Sequence, residues 1–428
     1  MATTATVARL TAALLAVLAL AGCGEDDADA MTVDTDLGVT QEPCPDAVDA
    51  GHGCIYLGTL TDRGDAGALG EQLTTGGAAF WERVNAEGGI GGYEVDTGTH
   101  LRDTGADPDQ QAAAYEEIRG DVLALTQSFG AAATEAVLGD LDDDDVLVVP
   151  ASWASDWDFS DIVLQSGASY CVAAMNALDH AVDALAGVEQ VLVVHFPGVY
   201  GEDAAAGVAA AAEHHDIEVA FAQTLPGAEE QEAAVDLVVE ADPDLVFVAT
   251  GPLELAAIVG QAVPRGFEGQ VVGSAPTWDP GLLDSPAAAD LEERYWQAAP
   301  WPPWGAGSEG HDALRATLDD VTPHDAYLAG WVRQYPLRAA IEAAIDRGDL
   351  TRAGVRTAAA EIAEVDYESI LPAAPGEGAD DPEASAVRAS GVAEVDATAP
   401  TGLAPLVDFL EGPTVAAHAF DAPCHEGL

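Results

Sequence analysis

Between Cys54 and Ala275 the chain alternates short apolar runs with amphipathic helical stretches, and no other feature limits the possible folds as severely. The runs "CIYLGTL", "DVLALTQ", "DVLVVPAS", "EQVLVVHF", "PDLVFVATG" and "GQVVGSA" are nearly continuous in apolar residues, as strands buried on both faces are. A helix between successive strands is the connection a parallel sheet requires. The expected fold class is therefore α/β with parallel sheets. The strand count is too high for one comfortable sheet, and residues 153–170 carry neither pattern, so the chain is expected to divide into two lobes. At 428 residues, 49% of them hydrophobic, it can fill two cores of roughly 100–200 residues each. Ligands of such sheets sit beyond the carboxyl ends of the strands.

The helix "LGEQLTTGGAAFWERVNAE" places Leu73, Gly77, Phe80 and Val84 on one face. It runs into "GGIGG", after which "YEVDTGTHLRDT" alternates as a strand. Phosphate-binding glycine loops precede a helix N-terminus, whereas this one follows a C-terminus, where the orphan groups are carbonyls. Its glycines are expected to supply positive-φ turns from helix to strand.

Charge narrows the partners. With 75 acidic and 14 basic residues, the formal net charge is -61. A polyanion repels nucleic acid, so none is expected as a partner. All the basic side chains are Arg, and the acids are dispersed over helices. That pattern fits an acidic coat suited to high salt, and equally a GC-rich coding bias.

Arg9 precedes the uncharged run "LTAALLAVLALAG", and Cys23 follows it, a pattern of charged start, short apolar core and small-residue exit. Residues 1–22 are expected to be a signal peptide. "LAGC" resembles the bacterial lipobox, which would make Cys23 a lipidated anchor on the outer face of the cell membrane. Residues 23–53 are acidic with little periodicity and are expected to form a flexible tether. An exported chain with four further cysteines, Cys44, Cys54, Cys171 and Cys424, is expected to carry disulfides; four allow three pairings. Cys44 and Cys54 flank a Pro/Gly/Asp loop that could close on itself, leaving Cys171 for Cys424. Farther on, "HDAYLAGWVRQYPLRAAIEAAIDRG" is expected to form one long amphipathic helix, and "TRAGVRTAAAEIAEV" another.

The stretch "IYLGTLTDRGDAGALGEQLTTGGAAFWERVNAEGGIGGYEV" resembles the type I periplasmic-binding-protein family, in its leucine/isoleucine/valine-binding branch. The resemblance continues through "RDTGADPDQQAAAYEEI", "VYGEDAAAGVAAAA", "DPDLVFVATG" and "VVGSAPTWDP". It implies two Rossmann-like lobes joined by a three-stranded hinge, lobe 1 over 54–168 plus 300–366 and lobe 2 over 169–299 plus 367–428. It also implies a monomeric receptor that hands a small solute to an ABC permease, or one that uses the same fold to signal to a membrane partner.

The resemblance also supplies candidate ligand contacts. The turn "TQSFGAAATEAV" would offer helix N-terminal N–H groups around Ala131, Ala133 and Thr134, with Ser128 nearby to replace a family hydroxyl or to cap the helix. In the next loop the carbonyl of Ala151, with Ser152 and Trp153, matches the second contact strip, and Tyr200 matches a cleft tyrosine. Ala275 stands where amino-acid binders place the acid that pairs with a ligand ammonium, and Leu69 where they place a tyrosine. The contacts for an α-amino acid are thus incomplete. Trp278 adds aromatic surface, and Arg63 offers a charge for an acidic ligand or a solvated ion pair with neighbouring acids. The expected ligand is a small organic solute: amino-acid-like, carboxylated or amide-like. The chain carries no "GxxxxGK[ST]", "HExxH" or "GxSxG" motif, and adjacent His214 and His215 point to different sides of a helix. No cofactor, metal or catalytic role is expected.

Overall fold

The computed structural model describes residues 33–64, 68–372, 374–375 and 386–428. The signal segment and Cys23 lie outside the described residues, as does most of the acidic loop after Pro372. Among the described residues no helix is long and apolar enough to cross a membrane.

The first lobe opens with β1 (Asp34–Thr35), β2 (Val39–Thr40) and β3 (Gly53–Thr61). Then come α1 (Ala68–Ala86), β4 (Tyr93–Asp103), α2 (Pro108–Ile118), β5 (Ala124–Phe129), α3 (Ala131–Asp143) and β6 (Val148–Ala151). β3 pairs in parallel with β4 on one side and β5 on the other, and β6 follows β5, also parallel. Sequence signals set the helix starts: Pro108 opens α2 behind Asp107, whose side chain accepts from the Gln110 N–H.

The second lobe contains α4 (Tyr170–Ala184), β7 (Gln190–His195), α5 (Val199–His215), β8 (Glu218–Gln223), α6 (Glu232–Ala241), β9 (Leu245–Ala249) and α7 (Pro252–Ala262). It continues with β10 (Gln270–Ser274), α8 (Ala288–Arg294) and β11 (Tyr295–Ala299). The chain then returns to the first lobe for α9 (Glu309–Thr317), α10 (Asp325–Val332), α11 (Tyr335–Asp346), β12 (Asp349–Leu350), α12 (Arg352–Ala360) and β13 (Glu364–Val365), which pairs with β14 (Ala374–Pro375). It ends in the second lobe with β15 (Ser390–Val395) and β16 (Leu403–Leu410). Order across that sheet is β16-β15-β11-β10-β9-β7-β8, parallel from β11 to β8 and antiparallel at β15 and β16. The fold is α/β, parallel-dominated, with two lobes.

Two expectations need correction. Residues 33–53 do not behave as a tether. β1 pairs with β12, β2 pairs with β3, and the buried Glu94 carboxylate accepts the N–H groups of Val48 and Asp49 at 2.8 and 2.6 Å. These anchors are long-range and polar, so no local apolar period announces them. The long helix at 324–348 is broken into α10 and α11 at Arg333 and Gln334. Pro336 lacks an N–H and its ring collides with the carbonyl four residues back, so the helix cannot run through. The cysteines pair as Cys44–Cys54 and Cys171–Cys424. The acidic run Asp142–Asp145 is held by Arg356, whose guanidinium meets Asp142 at 2.7 Å and Asp145 at 2.9 Å.

The glycine turn after α1 has Gly88, Gly89, Gly91 and Gly92 all at positive φ, from 57° to 113°. Asn85 completes it. Its amide donates to the Val95 carbonyl and accepts from the Val95 N–H, both at 2.8 Å, standing in for a neighbouring strand. A Cβ on Gly89 would lie 2.1 Å from the Tyr93 carbonyl oxygen, whereas one on Gly92 would meet nothing within 4 Å. Gly89→Ala is therefore expected to cost about 2 kcal/mol or more, Gly92→Ala about 1 kcal/mol, and Asn85→Ala about 1–3 kcal/mol for its two hydrogen bonds. Urea unfolding of the three variants checks the ranking; equal losses at Gly89 and Gly92 would contradict it.

Candidate functional site

A cleft of about 510 Å³ opens between the lobes, bounded by the carboxyl ends of strands from both sheets. The first lobe contributes Phe129, Gly130 and Ala131 after β5 and Ala151, Ser152 and Trp153 after β6. The second contributes Phe196 after β7, Thr250 to Pro252 after β9, and Ala275, Pro276 and Trp278 after β10. α1 adds Leu69, Gln72 and Leu73, and α10 adds Asp325, Ala326 and Ala329.

Aromatic rings form part of the walls. Trp153, which is buried, meets Tyr170 and Trp301 edge to face, with ring centroids 6.2 and 5.1 Å away, and Tyr170 meets Tyr200 at 4.9 Å. Three of the cleft's rings have their polar atoms engaged by protein. The Trp153 indole N–H donates to the Ser166 carbonyl at 2.9 Å, and that of Trp278 to the Thr401 carbonyl at 2.9 Å. The Tyr200 hydroxyl donates to the Thr250 carbonyl at 2.9 Å and lies 2.6 Å from the Ser274 hydroxyl. Burial pushes this phenol up to about 12, so it stays neutral. What Trp153, Trp278 and Tyr200 offer a ligand is therefore ring surface.

Of the helix N-termini at the cleft, those of α7 and α3 differ in whether a side-chain anion meets them. At α7 the Glu254 carboxylate accepts from the N–H groups of Gly251, at 3.1 Å, and Gly227, at 2.7 Å. At α3 the cap position is Gly130, at φ 88°, with no capping side chain. Ser128 instead accepts from the Gln111 amide at 2.7 Å and shares a 2.8 Å hydrogen bond with Thr134, securing the turn from behind.

Of the residues singled out in the sequence, Ala131, Ala151, Ser152, Trp153, Tyr200, Ala275 and Trp278 lie on the cleft lining. Ser128, Ala133 and Thr134 are buried behind it, and Arg63 is off it. The Arg63 guanidinium is bound by Glu71 at 2.6 and 3.0 Å and is half exposed.

Sequence reasoning passed over the polar rim. Asp279 of the second lobe meets His324 of the first across the mouth, with His324 Nε2 3.1 Å from Asp279 Oδ2. The other ring nitrogen accepts from the Ala326 N–H, so His324 also caps α10. The proton therefore resides on Nε2 and is donated to Asp279. This bond holds the Asp279 carboxyl below its ordinary range. The next residue, Asp325, accepts from the Trp304 N–H at 2.7 Å, and burial raises its carboxyl. No local motif marks this rim; the hint available was "PTW" and "PHD", each placing a polar residue just after proline or tryptophan at a lobe edge.

Two α/β lobes with a cleft between the carboxyl ends of their strands form the architecture of a two-lobed binding protein. The family model described as periplasmic binding protein matches residues 55–400, and the chain belongs to that family. Its fold is that of type I members. Among solved structures it is similar to the fatty acid ABC transporter substrate-binding protein from Thermomonospora curvata, with 24% identity, 90% of this chain and 97% of that one covered, and a TM-score of 0.80. It is also similar to a branched chain amino acid ABC transporter protein from Thermus thermophilus with bound valine, at 14% identity, 85% and 97% coverage and a TM-score of 0.72. A third is a solute binding protein from R. palustris in complex with 4-hydroxybenzoate, at 15% identity, 84% and 97% coverage and a TM-score of 0.69. No curated protein matches the chain.

Because His324 has two separable bonds, His324→Asn should keep the cap, since Asn is a good N-cap, while its shorter side chain loses Asp279. The expected result is unchanged stability with ligand affinity lowered by about threefold or less, the scale of an exposed pair. A depressed carboxylate contributes above the ordinary carboxylate range and loses that contribution as pH falls through its folded value. The difference between wild type and variant should therefore vanish in acid; calorimetric titration at neutral and acid pH checks it.

Proposed function

We propose that this protein is an extracytoplasmic receptor that captures a small, largely apolar organic solute between its lobes and delivers it to an ABC importer. The observation that supports this reading best is the cleft lining, in which Phe129, Trp153, Tyr170, Phe196 and Trp301 present ring surface and the Trp153 and Tyr200 polar groups are already bonded to protein. Ala275 stands where a carboxylate would be needed against an α-ammonium, which disfavours an ordinary amino acid. Of the solved relatives named above, one belongs to a fatty acid transporter, one holds valine and one holds 4-hydroxybenzoate, which supports an apolar acid as readily as an amino acid. On this reading the receptor works as a monomer, tethered to the outer face of the membrane through lipid on Cys23.

Thermal-shift measurements in high salt, with aliphatic and aromatic carboxylates and amides beside leucine, isoleucine and valine, test the solute class. The apolar acids or amides should raise the melting temperature most; the largest shift from a branched-chain amino acid would overturn the reading. Within the cleft, Trp153→Ala should weaken the best solute by about tenfold or more, while Tyr200→Phe should change it little because the hydroxyl is engaged with Thr250. For the anchor, Cys23→Ala should release the protein into the medium; a variant that stays membrane-bound would exclude lipid at this cysteine.

A further inference from the structure

Arg333 is the least expected residue of the first lobe. It is 1% exposed, and its guanidinium makes three hydrogen bonds, all to neutral acceptors. Nε donates to the Ala329 carbonyl at 2.9 Å, Nη1 to the Pro150 carbonyl at 2.8 Å and Nη2 to the Gln127 side-chain carbonyl at 3.0 Å. No carboxylate among the described residues forms an ion pair with it, in a chain with 75 acidic side chains. The side chain of Arg352, also buried, likewise donates only to carbonyls, those of Val122 and Arg119, but its partners lie off the cleft lining. A buried charge without a counter-charge is strongly disfavoured. Here burial pushes the guanidinium down to about 9, which still leaves it charged at neutral pH.

The partners place this charge. Pro150 immediately precedes the cleft residues Ala151 and Ser152, Gln127 lies two residues before Phe129, and Ala329 is itself on the lining. Arg333 therefore sits directly beneath the floor formed by the loops after β5 and β6. The ionisable group that acts on it is the Tyr170 hydroxyl, on a cleft residue, and burial keeps that phenol protonated. The side chains fixed behind the floor are neutral as well: Gln127 donates to the hydroxyls of Thr61 and Thr74 at 2.8 and 2.9 Å. The nearby α3 N-terminus, uncapped by any side chain, adds to the same sign of field.

Resting on the receptor reading above, we propose that Arg333 is the counter-charge of the ligand, so that the solute is a carboxylate whose acid group seats over the β5 and β6 loops. The missing anion of this buried cation is then supplied by the bound solute. Without such a local positive charge, the field of a protein with net charge -61 would repel an anionic solute from the cleft. The lining leaves the remainder of the ligand among aromatic rings. The acid rim of Asp279 and Asp325 lies at the other end of α10, since Asp325 begins that helix and Arg333 follows its last residue, about 12 Å away at 1.5 Å per residue.

The test uses matched pairs that differ only in charge: octanoate with octanamide, and phenylacetate with phenylacetamide, titrated calorimetrically into the mature protein in high salt. In the wild type each carboxylate is expected to bind about tenfold or more tightly than its amide, equivalent to about 1.4 kcal/mol. Arg333→Gln should reduce the ratio to about one, and Arg333→Lys, which keeps the charge, should retain most of it. The ratio is taken within each variant, so a general loss of stability cancels, and the wild-type ratio decides even if a variant fails to fold. Amides that bind as well as or better than their acids overturn the inference and leave the receptor standing. A preference that survives in Arg333→Gln removes Arg333 from the role. If no member of either pair binds, the apolar-solute reading and the inference fall together.

Discussion

The molecule is organised around a contact made at its closest points by backbone alone. α1 and α10 touch backbone to backbone, because Gly76, Gly77 and Gly330 leave nothing between them. A Cβ on Gly76 would lie 2.0 Å from the Tyr327 carbonyl oxygen, and one on Gly330 would lie 2.1 Å from that of Leu73. The first helix of the lobe is thereby fixed against a helix more than two hundred residues later in the chain. This approach sets the cleft wall, since α1 presents Leu69 and Leu73 and α10 presents Ala326 and Ala329 to the same space. Any larger residue at these glycines would push α10 away from the position that gives the cleft its width.

The break after α10 continues that arrangement. Arg333 and Gln334 are both buried, and each turns into the lobe to satisfy groups on other elements. Gln334 accepts from the Trp81 indole at 3.0 Å and donates to the Thr126 and Gly330 carbonyls at 3.3 and 3.0 Å, while Arg333 reaches Pro150 and Gln127. Each side chain is extensively hydrogen-bonded, and together they tie α10 to α1, β5 and β6. The loops that line the cleft are thus supported from below by the C-terminal third of the chain.

Much of this was legible in the sequence. Continuous apolar runs such as "VLVV" and "LVFVA" identified the parallel strands, because burial on both faces leaves no alternation to disguise. The glycines after Asn85 were readable as positive-φ turns because their position after a helix excludes a phosphate loop. Cleft positions that follow directly from strand ends, such as Ala131, Trp153 and Ala275, were also accessible. Arg333 was not, since whether an arginine has a counter-ion depends on partners at Gln127 and Pro150, far away in sequence. Asp279 with His324 escaped for the same reason: each belongs to a different lobe. Residues 33–53 misled because a disulfide and a single buried acid, Glu94, replace the apolar periodicity that ordinarily signals order. For Arg63 the ion-pair alternative holds, with Glu71 on the following helix as the acid rather than a neighbour in the loop.

The two disulfides are distributed unequally in length but alike in placement. Cys44–Cys54 lies wholly in the first lobe, and Cys171–Cys424, 253 residues apart in sequence, ties α4 to the chain terminus within the second. Neither covalent bond crosses from one lobe to the other. Each disulfide therefore constrains the unfolded chain of one lobe alone, and the link across the mouth is the hydrogen bond between His324 and Asp279. Reduction of either bond would loosen one half and leave the covalent frame of the other intact.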